Sequence, residues 1–230
     1  MFKVTNMIVG LCVISANMAI KFYIDSLRRE SVLMQVRSEQ MHSELESLRY
    51  QLNPHFLMNT LNNLQALALT GDDRTVEAIQ QLSLMMRYVL YDTGSSEVPV
   101  EKEASFLQNF ISLMKLRYAD NVNVSFRCTV AEGVSVPPLL FVSFVENAFK
   151  YGVSYREPSP IDINLCVDGG YVCFGCVNRI FGNHGHGHGS GVGLENVRRR
   201  LQLIYGGNAV LDINRDSGLY RVNLKIPVTL

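Results

Sequence analysis

No charge of either sign dominates this sequence: its 230 residues carry 21 Lys and Arg against 21 Asp and Glu. Nucleic-acid binders usually present a basic face, so the balance argues against direct nucleic-acid binding. Charge is also scarce, 18% against 47% apolar, which excludes wholesale disorder and allows a real core. Cysteine is sparse and unpatterned. Cys12, Cys128, Cys166, Cys173 and Cys176 are odd in number and have no metal-ligand rhythm. Cys173 and Cys176 have a C-x-x-C spacing, yet they fall inside the strand-like run YVCFGCV. A redox motif normally opens a helix after a strand, and a zinc site needs a second pair. Reduced, buried or half-buried thiols of a cytosolic domain are expected. Internal repeats are absent.

Long apolar runs are nearly absent too. Residues 4–20, VTNMIVGLCVISANMAI, carry no charge. At 1.5 Å per residue a helix there spans roughly 26 Å, slightly under a hydrocarbon core of ~30 Å. It reaches residue 24 if Lys21 snorkels. A signal peptide would need a small-x-small cleavage site, which is lacking. A buried soluble helix is the plainer alternative, and Thr5, Asn6, Ser15 and Asn17 speak for it. A membrane span over residues 1–24 is the expectation. Lys21, Arg28, Arg29 and Arg37 follow the uncharged stretch 4–20 against Lys3 before it, so everything after residue 24 is expected in the cytoplasm.

Residues 25–52 are polar and free of Gly and Pro, with Met41, Leu45, Leu48 and Leu52 forming a narrow seam. One such stripe cannot make a core alone, so a partner helix and a dimer are expected. Residues 25–44 read as a signalling coiled-coil helix. Pro54 interrupts the pattern, and the stripe restarts at Leu57, Leu61, Leu64 and Ala68, which predicts a kink beside His55. A second amphipathic run carries Val76, Ile79, Leu82, Met86 and Val89 on one side. A third carries Leu107, Phe110, Ile111, Met114 and Tyr118. Three helices thus fill residues 40–118, and residues 45–120 form a helical domain.

From residue 121 the texture changes to alternation. NVNVSFRC, IDINLCV, YVCFGCV, NAVLDIN and YRVNLKI read as five strands with one polar face, interleaved with helices near 137–151 and 192–205. The fold class is α+β: a helical hairpin, then an α/β two-layer sandwich over residues 121–230.

Three segments could carry chemistry. In QLNPHFLMNTLNN, His55 follows a helix-disrupting proline, with Gln51 and Asn59 one turn away on either side. A nucleophilic imidazole must be reachable and neutral at its attacking nitrogen. A lone His beside a Pro is more often structural. In PPLLFVSFVENAFKYG, Asn147 offers a hard carbonyl oxygen suited to Mg²⁺ and Lys150 a point charge suited to phosphate. A core helix ending in a cap at Gly152 explains the apolar face, but not the Asn and Lys together. In GSGVGLENVRRR, a glycine-rich loop opens a helix, which is what phosphate oxygens need. A lone G-x-G is weak evidence.

Together these segments resemble the LytS-like family of sensor histidine kinases. The likeness runs through QLNPHFLMNTLNNL, MMRYVL, FISLMKLRY, FVENAFKYG and GVGLENVRRRL, about residues 45–206. It implies a dimeric helical hairpin for dimerisation and phosphoacceptance, a GHKL-type ATP-binding sandwich, and a preceding membrane region. It also implies ATP and Mg²⁺ as cofactors and, as partner, a response regulator of the kind with a LytTR-type DNA-binding domain. The bacterial inner (cytoplasmic) membrane is the implied location, with the catalytic part cytoplasmic. Carried over, His55 is the phosphoacceptor and Asn147 the Mg²⁺–ATP ligand. Lys150 lies near the phosphates, and Gly191, Gly193 and Leu194 form the turn around them. Read from its place one turn after His55 and not from the resemblance, Asn59 is expected to orient a water for dephosphorylating the partner.

Two departures stand out. Asn178 occupies the position where such sandwiches place an Asp under the adenine amine, and no Gly-x-Gly follows it. No Glu or Asp directly follows His55. A degenerate kinase acting as a non-catalytic dimeric scaffold is therefore the alternative reading. The run NHGHGHG, with His184, His186 and His188, reads as a flexible lid rather than a metal chelator.

Overall fold

The computed structural model describes residues 54–118, 122–130, 133–154, 156–181 and 192–228, with residues 18, 21, 22 and 28 in helical backbone. The chain divides into two units, Met1–Leu52 and Asn53–Leu230, and every element named below belongs to the second. Most of the expected membrane span and the coiled-coil seam lie outside the described residues, as do residues 51–53, on one side of the kink expected beside His55. Among the described residues, no helix is long and apolar enough to cross a membrane.

Three helices come first. Helix α1 (Pro54–Thr70) begins on Pro54, whose missing N–H is harmless in a first turn. Asp72 opens α2 (Arg74–Arg87), its carboxylate accepting the Arg74 backbone N–H at 2.9 Å. A π-helical turn, Tyr88–Asp92, continues α2. Helix α3 (Val100–Arg117) starts after a short antiparallel ladder between β1 (Val98–Pro99) and β3 (Ser135–Val136), which the alternation pattern is too short to reveal. The expected α3 stripe is buried at Leu107, Phe110, Ile111 and Met114, with Tyr118 half-buried.

The other two stripes needed rotation. On α1 the inward residues are Phe56, Thr60 and Leu64, while Leu61 and Ala68 face solvent. Thr60 fits because its hydroxyl donates to the Phe56 carbonyl at 2.9 Å, so no polar atom is stranded. On α2, Ala78, Leu82 and Met85 turn inward and Val76 and Ile79 outward. Both faces have helical spacing, so periodicity alone cannot choose between them. Phe110 on α3 decides it for α1, its ring centroid standing 4.8 Å from that of Phe56. Tyr88, Phe106 and Phe110 extend this aromatic cluster.

All five expected strands are present: β2 (Val122–Thr129), β4 (Ser159–Asp168), β5 (Tyr171–Arg179), β6 (Val210–Asp216) and β7 (Leu219–Pro227). They form one mixed sheet in the order β2-β4-β5-β7-β6, parallel only between β2 and β4. Ile161, Ile163 and Leu165 on β4, Val172, Phe174 and Cys176 on β5, and Val222, Leu224 and Ile226 on β7 line one face. Phe141 and Phe144 pack on Phe174 there, with centroids 4.9 and 5.6 Å away. Each such side chain contributes roughly 1.5–3 kcal/mol on burial. Helix α4 (Val142–Gly152) starts five residues later than expected. Pro137 and Pro138 disfavour helix in the residue before each of them, and Leu139 takes a left-handed backbone, φ 56°. Helix α5 (Val192–Tyr205) occupies its expected place.

The four described cysteines are free. Cys173 and Cys176 lie three apart on one strand and so point to opposite faces, which prevents them from closing on each other. Burial pushes the Cys176 thiol up to about 12.

Candidate functional site

The apolar residues of α4 determine which of its side chains can work. Phe144, Val145, Ala148 and Phe149 are buried, Phe144 against Phe174 of the sheet and Phe149 against Tyr118, while Ser143, Glu146 and Asn147 are half-buried and Lys150 is exposed. Ser143, Asn147 and Lys150 follow one another at steps of four and three, so they share one face. The Lys150 ammonium stands 5.0 Å from the Tyr151 ring centre. A carbonyl oxygen donor and a cation on one face suit a metal-bound polyphosphate.

The C-terminal end of α4 meets Asn178 near the end of β5. A Cβ on Gly152 would fall 2.5 Å from Asn178 Nδ2 and 2.6 Å from its Cβ, closer than side chains tolerate. Gly152 is therefore the last helical residue, required by close approach. Its φ is not left-handed, and the cap expected there is replaced by extended Val153. Asn178 Nδ2 donates to the Arg179 carbonyl at 2.8 Å, which fixes the amide orientation. Asn178 Oδ1 is buried and has no hydrogen-bond partner. A buried acceptor left unmade is expensive and asks for an explanation. An Asp here would set a carboxylate against the Arg179 carbonyl, so the backbone itself favours Asn at this point.

Among the remaining expected residues, Gly193 is exposed and Leu194 half-buried in the first turn of α5, which anchors through Val197 and Leu201. Gly191 and the His184–His188 run lie outside the described residues. His55 stands in the first turn of α1, its side chain also outside the description, and half-buried Asn59 is one turn on. Asn147, Lys150 and Gly152 thus lie on α4, whose end meets Asn178, whereas His55 and Asn59 belong to a separate helix.

One residue escaped the sequence reading. Glu103 on α3 is fully buried, its carboxylate accepting the Tyr88 hydroxyl at 2.5 Å and the backbone N–H groups of Leu139 at 2.9 Å and Phe141 at 3.5 Å. Burial pushes its carboxyl up, while Tyr88, the two amides and the charge of Arg200 on α5 pull it back. The signal was its spacing: Glu103 lies four before Leu107, on the apolar stripe.

The family model described as Histidine kinase matches residues 43–122. Sensor protein LytS of Streptococcus agalactiae serotype V is 29% identical over 198 residues, covering 80% of this chain and 34% of that protein. Sensor protein LytS of Staphylococcus saprophyticus is 30% identical over 200 residues, with the same coverage. The chain is LytS-like. Sensor histidine kinase/phosphatase LytS of Staphylococcus aureus strain MRSA252 is 27% identical over 190 residues, covering 76% and 32%. This LytS-like chain spans about a third of the length of these relatives. Among solved structures, the histidine kinase domain of the Erythrobacter litoralis EL346 blue-light activated histidine kinase has a TM-score of 0.43 and 15% identity, over 82% of this chain and 95% of that one.

Proposed function

We propose that the chain is the catalytic end of a two-component sensor histidine kinase, which autophosphorylates on His55 and passes the group to an aspartate of a response regulator. Residues 45–120 serve as dimerisation and phosphoacceptor domain and residues 121–230 as a GHKL-type ATP-binding domain. Residues 1–24 serve as membrane anchor and residues 25–44 as the signalling helix, and the chain works as a homodimer with its catalytic part in the cytoplasm. The regulator carries a LytTR-type DNA-binding domain.

The observation that carries this reading is the unpartnered Oδ1 of Asn178, a buried acceptor beside the helix that bears Asn147 and Lys150. An adenine exocyclic amine would satisfy it once nucleotide entry uncovers the atom, Asn178 being 2% exposed. ATP with Mg²⁺ would supply the transferable γ-phosphoryl group and neutralise charge around it. Asn147 offers its side-chain oxygen to the metal, Lys150 its ammonium to the phosphates, and the first turn of α5, with Gly193 and Leu194 after Gly191, its free N–H groups. A ring nitrogen of His55 would take the γ-phosphoryl group with ADP as leaving group, and Asn59 would hold the water that hydrolyses the regulator's phosphoaspartate, releasing inorganic phosphate. Asn178, lacking charge, gives a weaker bond than Asp would, which is the observation that keeps a non-catalytic scaffold as the second reading.

Calorimetry with Mg²⁺ separates these. An acceptor at Asn178 selects the amine of adenine over the 6-oxo group of guanine, so ATP is expected to bind and GTP to bind roughly 10-fold or more weakly. Asn178→Ala is expected to erase that preference. Equal binding of both nucleotides, or of neither, contradicts the assignment.

A further inference from the structure

The turn that starts α4 is held from below by a side chain that belongs to a different layer. Leu139 and Phe141 are 5% and 0% exposed, so water does not satisfy their backbone N–H groups. Both donate to Glu103. The same carboxylate accepts from Tyr88, the first residue of the π-helical turn that prolongs α2. Arg200, on the helix that follows the glycine-rich segment, is close enough for its charge to act on it. The Phe141 carbonyl in turn accepts the N–H groups of Phe144 and Val145, opening α4. One carboxylate thus joins the end of α2, the start of α3 and the start of α4. A Leu at this stripe position would pack more simply, and burying a carboxylate is unfavourable unless its hydrogen bonds are needed. A π-turn beside it is a rare geometry, common at functional sites.

We propose that Glu103 is a positioning residue for the nucleotide-binding helix. Through the Leu139–Phe141 turn it sets where Asn147 and Lys150 stand, and through Tyr88 it ties that placement to the helical layer. This deepens the nucleotide-site reading above and rests on it. A shift of α2 against α3 moves Tyr88, alters the grip on the turn, and reaches α4 without passing through the sheet. By reciprocity, a nucleotide held by α4 favours one arrangement of α2 and α3.

The test compares the full chain with Glu103→Ala, Glu103→Gln and Tyr88→Phe, by amide hydrogen exchange, MgATP calorimetry and thermal melting. In Glu103→Ala the amides of residues 139–150 are expected to exchange about tenfold faster while those of β4, β5 and β7 keep their rates. MgATP affinity is expected to fall roughly tenfold at a temperature where the variant is fully folded. Glu103→Gln, which keeps an acceptor oxygen for the turn, restores most of both. Tyr88→Phe shows the same pattern more weakly and serves if the alanine variant does not fold. Unchanged affinity in a folded Glu103→Ala or Tyr88→Phe chain, or faster exchange spread evenly over the sheet, overturns the proposal. Absence of MgATP binding by the unsubstituted chain is a different failure, that of the nucleotide reading itself.

Discussion

At the scale of single residues, polar atoms carry the account, because each must find a partner in a largely apolar chain. Asp72 shows how local this can be. Its carboxylate accepts from Arg74 through the backbone N–H and through the guanidinium at 2.7–2.9 Å, and those bonds hold its carboxyl at about 2, below the ordinary 3.8. A depressed carboxyl contributes stability above its unfolded value and loses it as pH falls through the folded one. The melting temperature of Asp72→Asn is therefore expected to lie below that of the unsubstituted chain near neutral pH. The difference should vanish as pH falls from about 4 to about 2. A difference independent of pH contradicts this pairing. Asn178 and Gly152 show the same principle across elements: the glycine is set by the amide that presses on it, and the amide by a neighbouring carbonyl.

At the scale of elements, the strands were legible and the helix faces only partly so. Strand alternation has a single inward solution, and IDINLCV and YVCFGCV bury Ile161, Ile163, Leu165, Val172, Phe174 and Cys176 as their pattern demands. Helix α2 offers two apolar faces, and only the packing partner selects Ala78, Leu82 and Met85. The start of α4 was hidden because a carboxylate 36 residues away holds its turn. The functional groups divide likewise. Asn147 and Lys150 stood out as polar residues in an apolar helix, whereas Glu103 looked like an ordinary first-turn acid. The face left over on α2 has a use in this account. Val76 and Ile79 are 76% and 53% exposed, and a helical dimer would cover them. Val76→Lys with Ile79→Lys is expected to leave the melting of the monomer fold within about 1 kcal/mol and to weaken dimerisation at least about tenfold by sedimentation. An unchanged association constant contradicts that use of the face.

At the scale of the whole molecule, a three-helix layer bearing His55 and a sheet-and-helix layer bearing Asn147, Lys150 and Asn178 are parts of one chain, and Glu103 links them. The central claim is that phosphate moves from the second to the first. The chain is incubated with γ-labelled ATP and Mg²⁺, then tested for acid lability of the label and for its loss in His55→Gln. Label is expected on the protein that acid removes, that hot alkali spares, and that His55→Gln abolishes. Acid-stable label, label unaffected by His55→Gln, or no label at all contradicts it.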